Sequence, residues 1–218
     1  MISVTDNFIN AAKAPVKMVK AELIFYDETI SSEDDLISLN KEETGFYFSC
    51  DTKCIISRIL GVDRSLVGKT FSAKFLIVTD MTGDVWEECP LGTYIVYEQT
   101  VDLEKGVTSI KAYDYIGHMG LQKYQENELI YNVSVSNLAT QIATKFGLTI
   151  SIDPSLPNTS YVVAEDLYKN LSSVTYRDIL AEIAGATSSL VRANESQICL
   201  TPPVETDLET LTYANLKK

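Results

Sequence analysis

The chain has 218 residues, 45% of them hydrophobic and 22% charged, the balance of an ordinary globular protein with room for one large or two small domains. Its formal charge of −12 argues against a dedicated nucleic-acid binder, which needs a basic face to neutralise phosphates, and against an anionic membrane surface. The opening run MISVTDNFINAAKAPVKMVK lacks the apolar core of a signal peptide, and no stretch reaches the roughly 18 apolar residues of a bilayer span. The expectation is a protein made in a cytoplasm, with no signal peptide and no membrane insertion.

In chain order, TDNFINAAKAP reads as a short helix capped by Thr5 or Asp6 and stopped before Pro15. VKAELIFYD alternates Val19, Ala21, Leu23 and Phe25 against Lys20 and Glu22, the period of a half-buried strand. ETISSEDDLISLNKEET is polar and acidic, a loop or a short exposed strand, and GFYFSCDTKCIISRIL is aromatic and β-branched enough for one or two strands. GVDRSLVGKT ends like a phosphate-binding loop, but position 63 holds Asp63 where that loop needs glycine. Gly61 stands too far upstream, and the alternating TFSAKFLIVTD that follows reads as a strand, not the required helix. The segment is therefore a turn feeding a strand.

DMTGD, with Gly83, is a hairpin-like turn; VWEECPLGTYIVYEQTVD and GVTSIKAYDYIGHM supply two more strands around DLEKG. Five to seven strands with hardly any helix suggest a small barrel or sandwich up to about residue 118. The pattern then changes. Val135, Leu138, Ala139, Ile142 and Phe146 form one helical face with Ser134 or Ser136 as cap and Gly147 as terminator. LTISID is a strand stopped by Pro154. Tyr176, Ile179, Leu180, Ile183 and Ala184 repeat the helical spacing behind a capping-box-like Thr175 and Asp178, and SSLVRANESQICLTP is a hairpin turning at ANES. The reading is thus α+β: a β-rich, barrel-like domain over 1–118 and a small α/β module with two helices over 119–204. The closing TDLETLTYANLKK either continues into a longer chain or returns, over 205–218, to complete the first domain.

Little in the sequence offers chemistry. Cys50 and Cys54 form a C-x₃-C pair without a second pair, and the single histidine, His118, lies far away, so no metal site is expected. Asp114 could orient His118, but no G-x-S-x-G or catalytic cysteine context marks a nucleophile. The carboxylates Glu33, Asp34, Asp35, Glu42, Glu43, Glu87 and Glu88 read as solvated faces, and the tyrosine-rich runs as cross-strand packing. No catalytic, cofactor or metal residue is assigned.

The run NFINAAKAPVKMVKAELIFYD, then GKTFSAKFLI, CPLGTYIVYEQTVDLEKGVTSIKAYDYIGHM and TYRDILAEIAGATSSLVRANESQICLTP, resembles the N-terminal region of the baseplate hub, or tail-associated lysin, of phages and prophages of Gram-positive bacteria (the prophage endopeptidase tail family). The resemblance implies a fold similar to the contractile-tail baseplate hub, with the helical module inserted in or following the barrel. It implies a virion tail location, a trimer that joins the tail tube to the tip, and distal-tail or tail-tube partners. It implies no enzymatic activity in this region, any lytic domain lying elsewhere. An acidic lining would then repel DNA during ejection, and Arg64 and Lys69 would meet acidic partner surface. A glycan- or protein-binding surface module, or a carboxylate-dependent hydrolase, are the alternatives.

Overall fold

The computed structural model describes residues 4–14, 18–45, 48–61, 64–80, 85–165, 168 and 171–203. The chain divides into two compact units, Met1–Glu43 with Lys53–His118, and Thr44–Thr52 with Met119–Lys218. The short segment Thr44–Thr52, which the sequence reading left in the β-rich part, belongs with the second unit.

The first unit opens with α1 (Asp6–Lys13), where the Thr5 hydroxyl accepts the Phe8 amide at 3.1 Å. Thr5 is thus the cap, and the helix lies along β5. Seven strands follow: β1 (Val19–Phe25), β2 (Thr29–Ser31), β3 (Leu36–Thr44), β4 (Thr52–Leu60), β5 (Thr70–Asp80), β6 (Val85–Asp102) and β7 (Val107–Tyr113). They form one sheet in the order β2-β1-β5-β6-β7-β4-β3. The acidic stretch read as loop or short strand therefore supplies both end strands. Residues 81–84 of the DMTGD turn and the 205–218 segment lie outside the described residues.

Consecutive β2 and β3 stand at opposite ends of that order, yet only the turn between Ser31 and Leu36 joins them. A sheet can satisfy both facts only by curling until its edges approach. Its inner face agrees: Leu23 and Phe25 of β1, Ile30 of β2, Leu36 of β3, Ile55 and Ile59 of β4, Phe71 of β5, Tyr94 of β6 and Ile110 of β7 share one buried core. No ladder joins β2 to β3 among the described residues, so the expected barrel is a curled, open sheet. Closure fails because β2 is only three residues long and offers little edge to pair.

Register slips at three places, between Ala73 and Lys74, Val78 and Asp80, and Val96 and Glu98. The first is a bulge in β6 at Leu91 and Gly92, where Gly92 has φ +120°, a conformation that L side chains avoid. The bulge accommodates Pro90, which has no amide for the ladder, and aims the Leu91 carbonyl at the buried Tyr94 hydroxyl, 2.8 Å away. Phe25, Phe71 and Tyr94 then pack ring on ring, with centroids 4.9 and 5.8 Å apart. The short α2 (Tyr115–Met119) ends the β-rich run.

The second unit contains β8 (Val133–Ser134), α3 (Val135–Lys145), β9 (Thr149–Ile152), β10 (Val162–Val163), α4 (Tyr176–Ala186), β11 (Leu190–Asn194) and β12 (Gln197–Thr201). Its core is a pair of helix–strand repeats. Ser134 caps α3 through the Asn137 amide; Thr175 caps α4 through the Asp178 amide, with Asp178 completing a capping box. At a constant offset, Val135, Leu138, Ala139, Ile142 and Ala143 are buried in α3, and Tyr176, Ile179, Leu180, Ile183 and Ala184 in α4. Both helices then turn through a left-handed residue, Gly147 at φ +70° and Ser188 at φ +51°. Each closes with the same bond, Leu148 N–H to Ala143 O and Ser189 N–H to Ala184 O, both 2.9 Å.

The repeats feed one sheet in the order β11-β12-β9, β12 running parallel to β9 and antiparallel to β11. Ser151 of β9 and Arg192 of β11, equivalent in the two repeats, are both paired with Cys199. An approximate two-fold axis therefore passes through the middle of β12 and exchanges the two halves. β8 and β10 form a separate two-stranded ladder.

Candidate functional site

GVDRSLVGKT occupies the connection from β4 to β5, with Val62 and Asp63 outside the described residues. Gly61 donates its amide to Gly106 O at 3.0 Å, Lys69 donates its own to Leu66 O at 2.9 Å, and strand β5 begins at Thr70. The segment is a turn before a strand, as its sequence indicates. Arg64 bonds within its own unit: it reaches Asp27 at 2.9 Å and Glu28 at 2.5 Å. The Arg64 guanidinium holds the Asp27 carboxyl below the usual carboxylate range.

Asp114 caps α2. Its Oδ1 accepts the Gly117 amide at 2.8 Å, and its own amide donates to Lys53 O at 2.9 Å. The carboxylate is thereby committed to a helix end. Burial pushes it up to about 6, against the pull of the Gly117 and Lys53 amides and of the Lys53 charge. Burial also lowers the His118 imidazole. The thiols of Cys54, Cys89 and Cys199 are raised by burial, the direction that makes a thiol a poor nucleophile and a poor metal ligand.

Most of the carboxylates weighed in the sequence meet lysines or lie on exposed faces. Lys20 lies 3.6 Å from Glu22 and 3.4 Å from Glu33; Lys74 bridges Glu22 and Glu88; Lys41 pairs with Glu43 at 3.1 Å. Surface pairs of this kind, here partly covered, contribute about 0–1 kcal/mol each. The tyrosines divide. Tyr124 and Tyr176 are buried and pack edge to face, as packing predicts, whereas Tyr26 and Tyr161 stand in solvent. Shallow clefts break the described surface of the first unit. One of about 310 Å³ lies at the β2–β3 seam against Ile59 and Arg64; one of about 430 Å³ lies between α1 and the Thr79–Glu87 end of the β5–β6 pair.

What the described surface offers is backbone edge. The β2 and β3 edges approach across the seam, and β3 carries Lys41, Glu42 and Glu43. In the second unit the outer edge of β11 is covered: Val191 donates to Ser49 O at 2.9 Å and accepts the Asp51 amide at 2.8 Å. The pairing is parallel, centred on Cys50 and Val191, and Arg192 locks it by reaching Asp51 at 2.6 Å. Sequence reasoning missed this cover, because nothing in CDTKC announces a partner so far along the chain. No helix among the described residues is long and apolar enough to cross a membrane.

A curled seven-stranded sheet followed by a module of two helix–strand repeats makes the chain an α+β protein. No family model and no curated protein matches the chain. Among solved structures, it is similar to a tail protein from Neisseria meningitidis MC58, with a TM-score of 0.55 at 13% identity over 85% of this chain and 53% of that one. It is similar to the 43 kDa tail protein of prophage MuSo2 from Shewanella oneidensis, at TM-score 0.52 and 10% identity over 84% and 54%. A chain of the Francisella PdpA–VgrG complex gives TM-score 0.52 and 10% identity over 90% of this chain and 33% of its own. The chain spans about half the length of the two tail proteins. At these identities the likeness is one of fold.

Proposed function

We propose that this chain is a structural component of a phage or prophage tail, in the tip or baseplate hub, where it joins the tail tube to the tip through subunit contacts and turns over no substrate. The observation that carries the reading is the fold: the likeness to a tail protein covers 85% of the chain. The trimer, the tail-tube partner and the Gram-positive host follow from the sequence resemblance, and the PdpA–VgrG complex supports a role inside a multi-protein assembly. The lysine-paired carboxylates and raised thiols fit a wall better than a catalyst.

The test is light-scattering mass of the protein across a wide concentration range, with electron microscopy of the assembled species. A three-fold ring with a central opening is expected; a monodisperse monomer at the highest concentration overturns the reading. The exposed Tyr26 and Tyr161 give a glycan-binding module its one specific support, and binding of isolated monomer to a glycan array would favour it.

A further inference from the structure

The pseudo-two-fold axis of the second unit makes Ile150 of β9 the counterpart of Val191 of β11. Both stand one residue before the position opposite Cys199, in Ser151 and Arg192. Val191 turns its N–H and C=O away from β12, and Ser49–Asp51 takes both. On β9, Thr149 donates to Ser196 O and Asp153 to Leu200 O, each at 3.0 Å, so the alternate residues Ile150 and Ile152 direct their N–H and C=O outwards. The sheet ends there: among the described residues nothing pairs with that edge.

Sheet edges left open are sites of strand addition unless they are short, charged, bulged or covered. β2, β8 and β10 are only two or three residues long, β3 is charged, and β11 is covered. β9 reads Thr-Ile-Ser-Ile, β-branched and without charge, proline or bulge. For a chain of net charge −12, it is a stretch where a second copy can approach without like charges set opposite one another. We propose that the outer edge of β9 receives an extended strand from a second copy of this chain, bonded to Ile150 and Ile152 as Ser49–Asp51 is bonded to Val191. The site rests on the homo-oligomeric reading above and gives that assembly a specific joint. It differs from its twin in one respect. Arg192 selects an aspartate on the β11 side, whereas Ser151 stands in its place on β9, so the incoming strand needs no acid there.

The test combines light-scattering mass with site-resolved amide exchange on the full chain. In the associated state, the Ile150 and Ile152 amides are expected to be protected at least tenfold over the dilute monomer, while the Val191 amide is protected in both. Ile150→Pro removes an outward N–H and leaves the Thr149 and Asp153 bonds to β12 intact. It is expected to weaken association at least tenfold without losing Val191 protection. Ser151→Lys, which charges the edge and keeps every backbone donor, is expected to do the same and decides the matter if the proline variant fails to fold. An oligomer that survives both variants, or whose Ile150 amide exchanges freely, overturns the β9 joint and leaves the tail reading standing. Concentration-independent protection of Ile150 shows that the chain's own residues cover the edge, and overturns the joint too. A monomer at every concentration brings down the assembly reading itself, together with this joint.

Discussion

Asp114 shows how much a single buried group can decide. The residue is 3% exposed, its carboxyl caps α2, and burial raises that carboxyl to about 6 where an unfolded chain would give about 3.9. The folded state therefore holds the proton more tightly. The stabilisation from the protonated form is complete below pH about 4 and lost as pH rises through 6. Asn at this position keeps the oxygen that accepts the Gly117 amide and cannot titrate. The stability of wild type relative to Asp114→Asn is expected to increase by on the order of 2–3 kcal/mol as pH falls from about 7 to 4. Asp27, Asp102 and Asp153, whose carboxyls are lowered by Arg64, Lys105 and Ser155, act in the opposite direction but equally in both proteins, so the difference isolates Asp114. Urea unfolding of the two side by side across that range is the measurement; parallel curves would refute the assignment. The sequence placed Asp114 beside His118 but could not show that its carboxyl caps a helix, because that depends on burial.

At the scale of elements, legibility followed locality. α4 was readable to its cap, Thr175, and α3 to one of two serines, of which Ser134 is the cap, because every determinant lies within one helical repeat of its neighbours. β3 was not, since Leu-Ile-Ser-Leu-Asn-Lys-Glu-Glu-Thr has the polarity of a loop and becomes a strand only because β4 lies beside it. The Ser49–Asp51 cover on β11 joins residues from opposite ends of the sequence, and its register is invisible to any local pattern. The repeat itself yields a prediction. Gly147 and Ser188 occupy the same left-handed position after their helices, but only Gly147 adopts it without strain. Ser188→Gly is expected to raise stability by about 0.5–1 kcal/mol, and Gly147→Ala to lower it by about 1 kcal/mol. Equilibrium unfolding checks both. Equal and same-signed shifts would mean that the two turns do not share one constraint.

For the whole molecule, charge sets the terms on which copies meet. A net charge of −12 gives every copy a repulsive field that reaches about 10 Å at 0.1 M salt and about 30 Å at 0.01 M. Assembly through uncharged backbone edges, with the ion pairs Lys20–Glu22 and Lys74–Glu22 internal to one sheet, gains nothing from that field and works against it. Self-association is therefore expected to strengthen as sodium chloride rises from about 0.01 to 0.3 M, since screening removes the repulsion and leaves the edge bonds intact. A joint made of cross-subunit salt bridges behaves the other way and weakens with salt. The dissociation constant measured by sedimentation at several salt concentrations distinguishes the two by the sign of one slope. A fall in affinity with added salt would place the contact on Arg64, Lys69 or other basic side chains, and would remove the uncharged β9 edge as its seat.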